Sequence, residues 1–250
     1  MNNWDPIPRE ILRSELDKVI SVGRKARDEI SNDFMSTGAI AIDPFAAIVS
    51  AGLTGNWDAW KKSEIDRQVG KSISNQIGYF HQELLGSVPG WESLPRGAQM
   101  PDLICSQRKL FVELKNKFNT VKGSDKIGVY NALVLNEKER YPGWTGAYVY
   151  IVENSALSAQ VKPVQFTPSD ARAKQRAKGK AKIVQLTGRL IWAIALDDRP
   201  GLPPPPYPRI DAIDQITRMT LDIAKEEFPG FQYPDPALLR EFQRSVGGER

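Results

Sequence analysis

PDLICSQRKLFVELKNKFNT, residues 101–120, sets two acids and a lysine at the borders of two short apolar runs. Over residues 110–115 apolar and charged side chains alternate with the period of a strand. Leu110, Val112 and Leu114 share one face, and Phe111, Glu113 and Lys115 share the other. With SQRK as a turn, residues 102–106 pair back on 110–115 as a hairpin. Asp102 then lies beside the end from which Glu113 and Lys115 emerge. Two carboxylates brought together repel unless a cation lies between them, and a hard divalent ion with oxygen ligands, Mg²⁺ above all, suits that place. A neighbouring lysine can hold a water or a phosphate oxygen, and a bound metal lowers the pKa of its water. Such a set of groups fits the hydrolysis of phosphodiesters.

Working outward, the texture of the chain changes near residue 90. Residues 8–36 read as an amphipathic helix with Ile11, Leu12, Leu16, Val19, Ile20 and Val22 on its apolar face. STGAIAIDPFAAIVSAGL, residues 36–53, has helical patches. Residues 57–85 read as one or two more helices, with Ile73, Ile77, Phe80 and Leu84 at spacings of three and four. After the turn-rich GSVPGWESLPRGAQMPD come apolar runs of strand character at 102–106, 110–115, 146–152 and 190–196. Between the second and third, SDKIGVYNALVLNEKER has a helical pattern with Ser124 or Asp125 as its cap. The expectation is an α/β (α+β) chain with a mixed sheet flanked by helices. We read it as a single domain with a helical region over 1–90, a sheet core over 91–200 and a tail over 201–250. That tail holds the proline-rich RPGLPPPPYPRI, a helix from about 211 to 227, and a fraying SVGGER terminus.

Composition removes several classes. The chain has 250 residues, 41% hydrophobic and 26% charged, with no apolar run long enough to span a bilayer. Its first residues lack the basic flank and apolar stretch of a signal peptide, so a cytoplasmic protein is expected. One cysteine, Cys105, and one histidine, His81, leave no Cys/His zinc site within the chain, and a Ser-His-Asp triad would have to use that histidine. His81 reads as a hydrogen-bonded helix residue, and Cys105 as core. The net charge of +4 and pI near 9.1 are mildly basic. The excess is concentrated in RAKQRAKGKAK, residues 172–182, which holds six cations and no acid. Arg172, Lys174, Arg176, Lys178, Lys180 and Lys182 are therefore candidates for neutralising phosphates, with arginine also able to read guanine edges. Ser169 or Asp170 is expected to cap a short helix leading into this run.

Pro101 and Asp102, ten intervening residues, then Glu113, Leu114 and Lys115 resemble the catalytic signature of the PD-(D/E)xK nuclease superfamily. That resemblance implies an α-β-β-β-α-β core. A longer likeness runs through NQIGYFHQELLGSVPGW (75–91), VELKNKFNTVKGSDK (112–126) and FTPSDARAKQR (166–176). Together they resemble the type II restriction endonucleases that read GGNCC. Phe118 stands where that family has a histidine, and the C-terminal third matches less well. The resemblance implies Asp102 and Glu113 as Mg²⁺ ligands, Lys115 as the residue that orients and helps deprotonate water, and a homodimer acting on double-stranded DNA. It also points to Glu83, on the preceding helix, as a third carboxylate, with Gln82 beside it. Asn116, Lys117 and Asn119 follow the catalytic strand and could touch the DNA backbone, or equally be turn residues. The rival readings are a structure-specific repair or phage nuclease of the same fold, and a DNA-binding protein whose nuclease site no longer turns over.

Overall fold

The computed structural model describes residues 6–33, 42–95, 97, 100–119, 121, 125–153, 162–170, 175–196 and 212–246. The proline-rich stretch, Arg172, Lys174, Ser124 and the last four residues lie outside them. By the density of its internal contacts the chain divides into two compact units, Ser14–Phe80 and the remainder. No helix among the described residues is long and apolar enough to cross a membrane.

The unit Ser14–Phe80 is helical, drawing on α1 (Arg9–Asp33), α2 (Pro44–Thr54) and α3 (Trp57–Gly86). Leu16, Val19, Ala26, Ala47, Ala51 and Val69 are buried. Gly23 lies so close to Ile73 that an added Cβ would stand 3.2 Å from it, and Arg27 is ion-paired to Asp66 at 3.1 Å. α2 is a complete helix with defined ends. Asp43 caps its first turn, Pro44 opens it and Gly55, at φ +90°, stops it.

The larger unit holds a six-stranded mixed sheet. Its strands are β1 (Glu92–Ser93), β2 (Leu103–Cys105), β3 (Leu110–Lys117), β4 (Thr145–Val152), β5 (Val164–Gln165) and β8 (Ile183–Thr187), in the spatial order β1-β2-β3-β4-β8-β5. β1, β2 and β3 pair antiparallel, β3, β4 and β8 pair parallel, and β5 closes the edge antiparallel. The turn Ser106–Lys109 joins β2 to β3, with Lys109 at φ +49°. Parallel pairing of β3 with β4 needs a crossover, which α4 (Lys126–Glu139) supplies. The chain thus runs α3-β1-β2-β3-α4-β4, the α-β-β-β-α-β order expected of the core.

β4 is buried from Gly146 to Ile151, so both faces of the sheet are covered at its centre. On one face Phe111, Tyr148, Tyr150 and Ile183 pack with Tyr130 and Leu133 of α4 and with Phe166. Tyr148 stacks on Phe166 with ring centroids 4.6 Å apart. Gly146 is small because Phe111 fills its side, within 2.6 Å of where a Cβ would sit.

Three expectations are corrected. Residues 190–196 form no strand: α5 (Gly188–Leu196) is a helix, and the sheet takes 183–187 instead. LIWAIAL is apolar throughout, which a buried helix and a buried strand share, and the buried set Leu190, Ile191, Trp192, Ala195 and Leu196 has helical spacing. Thr187 Oγ1 accepts from Leu190 N at 3.4 Å, and Gly188 lets the chain turn directly from strand to helix. Ser169 and Asp170 lie in a strand where a helix cap was expected. They form β6, which pairs antiparallel with β7 (Gln175–Arg176). Asp125 precedes α4 but makes no side-chain capping bond, because its backbone is already helical, at φ −92° and ψ −17°. Helix α6 (Ala212–Glu227) falls where expected, and α7 (Pro236–Ser245), capped by Asp235, was not anticipated.

Candidate active site

β3 is a central strand that carries apolar residues on one face and charged ones on part of the other. Leu110, Val112 and Leu114 are buried, while Glu113 and Lys115 are half-buried. β2 delivers Asp102 to the same place. The Asp102 N–H donates to Val112 O at 2.8 Å, extending the hairpin ladder, and its carboxylate Oδ2 accepts from Leu114 N at 2.6 Å. Lys115 Nζ donates to Glu113 Oε1 at 2.6 Å. All three predicted groups therefore converge.

Asp102 and Glu113 line one cleft of about 320 Å³, whose other wall includes Val129, Leu133 and Asn136 of α4. Burial, and then the charge of Glu113, push the Asp102 carboxyl up to about 6, although the Leu114 N–H and the Lys115 charge pull it down. Two acids that resist shared ionisation in an open cleft fit a divalent cation. Among the described residues no group of three or more acids, histidines or cysteines gathers around a point. Such an ion would hold two carboxylates from this chain and complete its shell with water and phosphate oxygens.

Two further side chains bear on this geometry: Gln82, to which the resemblance pointed, and Tyr148, which no motif marked. Gln82, only 5% exposed, donates through Nε2 to Asp102 O at 2.9 Å, Leu94 O at 3.1 Å and Ser93 Oγ at 3.1 Å. A helix residue thereby fixes the backbone that carries the first acid. Tyr148 stands opposite Glu113 in the parallel register of β3 and β4. It is fully buried, and among the described residues its hydroxyl has no hydrogen-bond partner. Burial and the Glu113 charge push that phenol up to about 12, so it stays a neutral donor. An orphaned buried hydroxyl costs about 1–3 kcal/mol unless water or a ligand completes it. The next pair in register, Lys115 and Tyr150, is satisfied differently, since Gln185 Nε2 donates to the Tyr150 hydroxyl at 2.9 Å.

The arrangement of two acids and a lysine on a hairpin of this topology can be compared with known proteins. The model of the Eco47II restriction endonuclease family matches residues 5–200. The chain belongs to that family. It is 32% identical over 177 residues to the type II restriction enzyme Eco47II of Escherichia coli, covering 68% of this chain and 70% of the relative. It is 31% identical over 116 residues to the type II restriction enzyme Sau96I of Staphylococcus aureus, covering 46% and 44%. As a member of the Eco47II family the protein is a sequence-specific endonuclease that hydrolyses DNA, of the type II restriction class.

The other predicted residues scatter around the β2–β3 hairpin. Glu83 is exposed on α3, and its Oε1 accepts from Ser93 Oγ at 2.9 Å, the same hydroxyl that Gln82 engages. Burial holds the His81 imidazole down to about 4, so it is neutral at physiological pH. Lys117 follows Glu113 and Lys115 on their face of β3, whereas Asn116 points to the opposite face, and exposed Asn119 lies beyond the strand. Of the basic run, Arg176 lies in β7 and donates to Thr167 O at 3.4 Å. Lys178, Lys180 and Lys182 are exposed. The Lys178 carbonyl accepts from the Tyr130 hydroxyl, and Lys182 Nζ donates to Gly143 O at 2.8 Å.

Proposed function

We propose that the enzyme cleaves double-stranded DNA with Mg²⁺ held by Asp102 and Glu113. The observation that carries this reading is the convergence of those two carboxylates at one cleft, with the Lys115 ammonium bound to Glu113. The bound ion would supply an acidified water and offset charge on the phosphate. Asp102 is oriented by Leu114 N and held in place by Gln82. Lys115 turns from Glu113 to the attacking water and to the charge that grows on phosphorus. Tyr148 donates its free O–H to a water or phosphate oxygen beside Glu113. Water enters in line with the leaving 3′ oxygen, leaving a 5′-phosphate and a 3′-hydroxyl.

Glu83, joined to Gln82 through Ser93, serves as a third acid at the rim through water. Lys117, Asn116 and Asn119 meet the backbone near the cut. Arg172, Lys174, Arg176, Lys178, Lys180 and Lys182 neutralise phosphates farther along the duplex. The chain works in the cytoplasm as one endonuclease domain and as a homodimer with one active site per strand, at a GGNCC site. The test is to incubate the purified enzyme with unmodified linear phage DNA, with Mg²⁺ or with EDTA, beside Asp102→Ala and Lys115→Ala. Discrete fragments that need the metal and both side chains, with GGNCC at their sequenced ends, are expected. DNA that is shifted on a gel but never cut overturns the mechanism.

A further inference from the structure

Among the described residues the most exposed large apolar side chains gather along one helix and the start of the next. Phe45 is 80% exposed, Ile48 59%, Val49 63% and Leu53 84%, and Trp57, which follows at the start of α3, is 56% exposed. Positions 45, 48, 49 and 53 fall on one stripe of α2. The opposite stripe, Ala47 and Ala51, is buried. PFAAIVSAGLT contains no charged residue. An uncharged helix that is apolar on both sides belongs inside an assembly, because nothing on it favours water.

The stripe is also rigidly presented. Asp43 Oδ1 accepts from Phe45 N at 2.9 Å and Ala46 N at 3.2 Å, and Asn56 Oδ1 caps the next helix through Ala59 N at 2.7 Å. Trp57 and Trp60 meet edge to face at 5.6 Å, which holds one end of the patch. A preformed surface loses little entropy on docking.

We infer that this face of α2, with Trp57, is the surface on which two copies of the chain associate. The inference rests on the endonuclease reading, in which each chain brings one catalytic cluster and a duplex has two strands to cut. DNA is a poor occupant, since the stripe has no cation to meet a phosphate. A bilayer surface is another, because the helix lacks the Lys/Arg rim of an interfacial anchor. A second copy fits. An uncharged apolar patch meets itself across a two-fold axis without like charges opposed. The five side chains expose roughly 600 Å² per copy, so two copies cover about 1,200 Å², the lower bound for a stable specific interface.

Sedimentation equilibrium without DNA tests this directly. The wild-type chain is expected to be a dimer at micromolar concentration. Phe45→Asp and Leu53→Lys are expected to raise the dimer Kd at least 100-fold, with far-UV circular dichroism unchanged and Tm nearly so, since both side chains face solvent in the single chain. Leu53→Cys should react with a maleimide faster as the protein is diluted. A wild-type monomer at these concentrations overturns the inference, as does a dimer indifferent to both charges. A monomeric Leu53→Cys chain that is protected at every dilution also overturns it, because the chain then covers the stripe itself. Lys115→Ala separates the two ideas. It should stay dimeric without cutting, whereas the charged α2 variants should lose concerted cleavage of both strands. If the variants dissociate but the wild-type chain cuts no DNA, the surface stands and the nuclease reading falls.

Discussion

The Lys115 ammonium and the Glu113 carboxylate, two residues apart on one strand, are bound to each other at 2.6 Å. Each is thus occupied with the other before metal or DNA arrives. The pair holds the cleft's Glu113 with its charge compensated by Lys115, and it has to open for either to act.

Removing the lysine therefore affects metal and chemistry in opposite directions. Lys115→Ala should lower the cleavage rate about 10³-fold, the order seen when one charge-stabilising donor is lost. It should also free Glu113, so that Ca²⁺, a non-cleaving probe, binds more tightly. A calorimetric titration with Ca²⁺ beside a cleavage assay checks both; weaker Ca²⁺ binding would count against the resting pair.

Asp102 makes the metal-free fold sensitive to pH. Its folded pKa of about 6 lies above the ordinary 3.8, so the folded chain holds that proton more tightly than the unfolded chain does. Stability from this group is fully present below pH 4 and is lost as pH rises through about 6. Asp102→Asn keeps an acceptor for Leu114 N and removes the charge. It should raise the Tm of the metal-free protein at pH 7.5 relative to wild type, leave it level with wild type near pH 4, and abolish cleavage. Thermal melts across pH 4–8 in EDTA give the comparison.

Gln82 supports the site from a distance. Gln82→Leu leaves Asp102 O, Leu94 O and Ser93 Oγ without their shared donor, at a cost of about 1–3 kcal/mol. We expect kcat to fall more than DNA affinity, since Asp102 loses its anchor while the basic residues do not. Gln82→Glu, which cannot donate there, should fare no better. A variant with normal kcat and only a lowered Tm would make Gln82 purely structural.

Tyr148→Phe keeps the stack on Phe166 and deletes an unsatisfied hydroxyl. Stability should hold or rise by about 1 kcal/mol. Cleavage should fall about 10-fold or more if the hydroxyl meets a charged oxygen in the loaded site. Melts and single-turnover rates on the same preparation decide the matter, and an undiminished rate would remove Tyr148 from the site.

Lys178, Lys180 and Lys182 make a simpler prediction. Each change to alanine should weaken binding to any DNA sequence and reduce the slope of log K against log salt by about 0.9. Lys182 should show the smallest change, because its ammonium is already held by Gly143 O.

The β2–β3 hairpin was legible because its pattern is local. Alternation over 110–115 fixes the face of Glu113 and Lys115, and the SQRK turn brings Asp102 opposite. β4 was legible from its β-branched and aromatic residues, and α4 from the helical pattern that follows β3. LIWAIAL was not, since a uniformly apolar run has no polar phase from which a period can be read. β8 is five residues long, and its parallel partner β4 lies on the far side of β5, β6 and β7 in the chain. Tyr148 acquires meaning only through contacts that cross the fold, which neither spacing nor composition records, and Gln82, to which the resemblance pointed, gains its role there from its bonds to Asp102, Leu94 and Ser93. The exposure of Phe45 and Leu53 is likewise a tertiary fact, for the sequence marks them as core-like.

The strand that carries Glu113 and Lys115 has neighbours bonded along both edges, β2 on one side and β4 on the other. Such a strand does not fray alone; its amide protons exchange only when the whole sheet comes apart. Under the proposed mechanism, a molecule whose sheet has come apart has lost its active site with it.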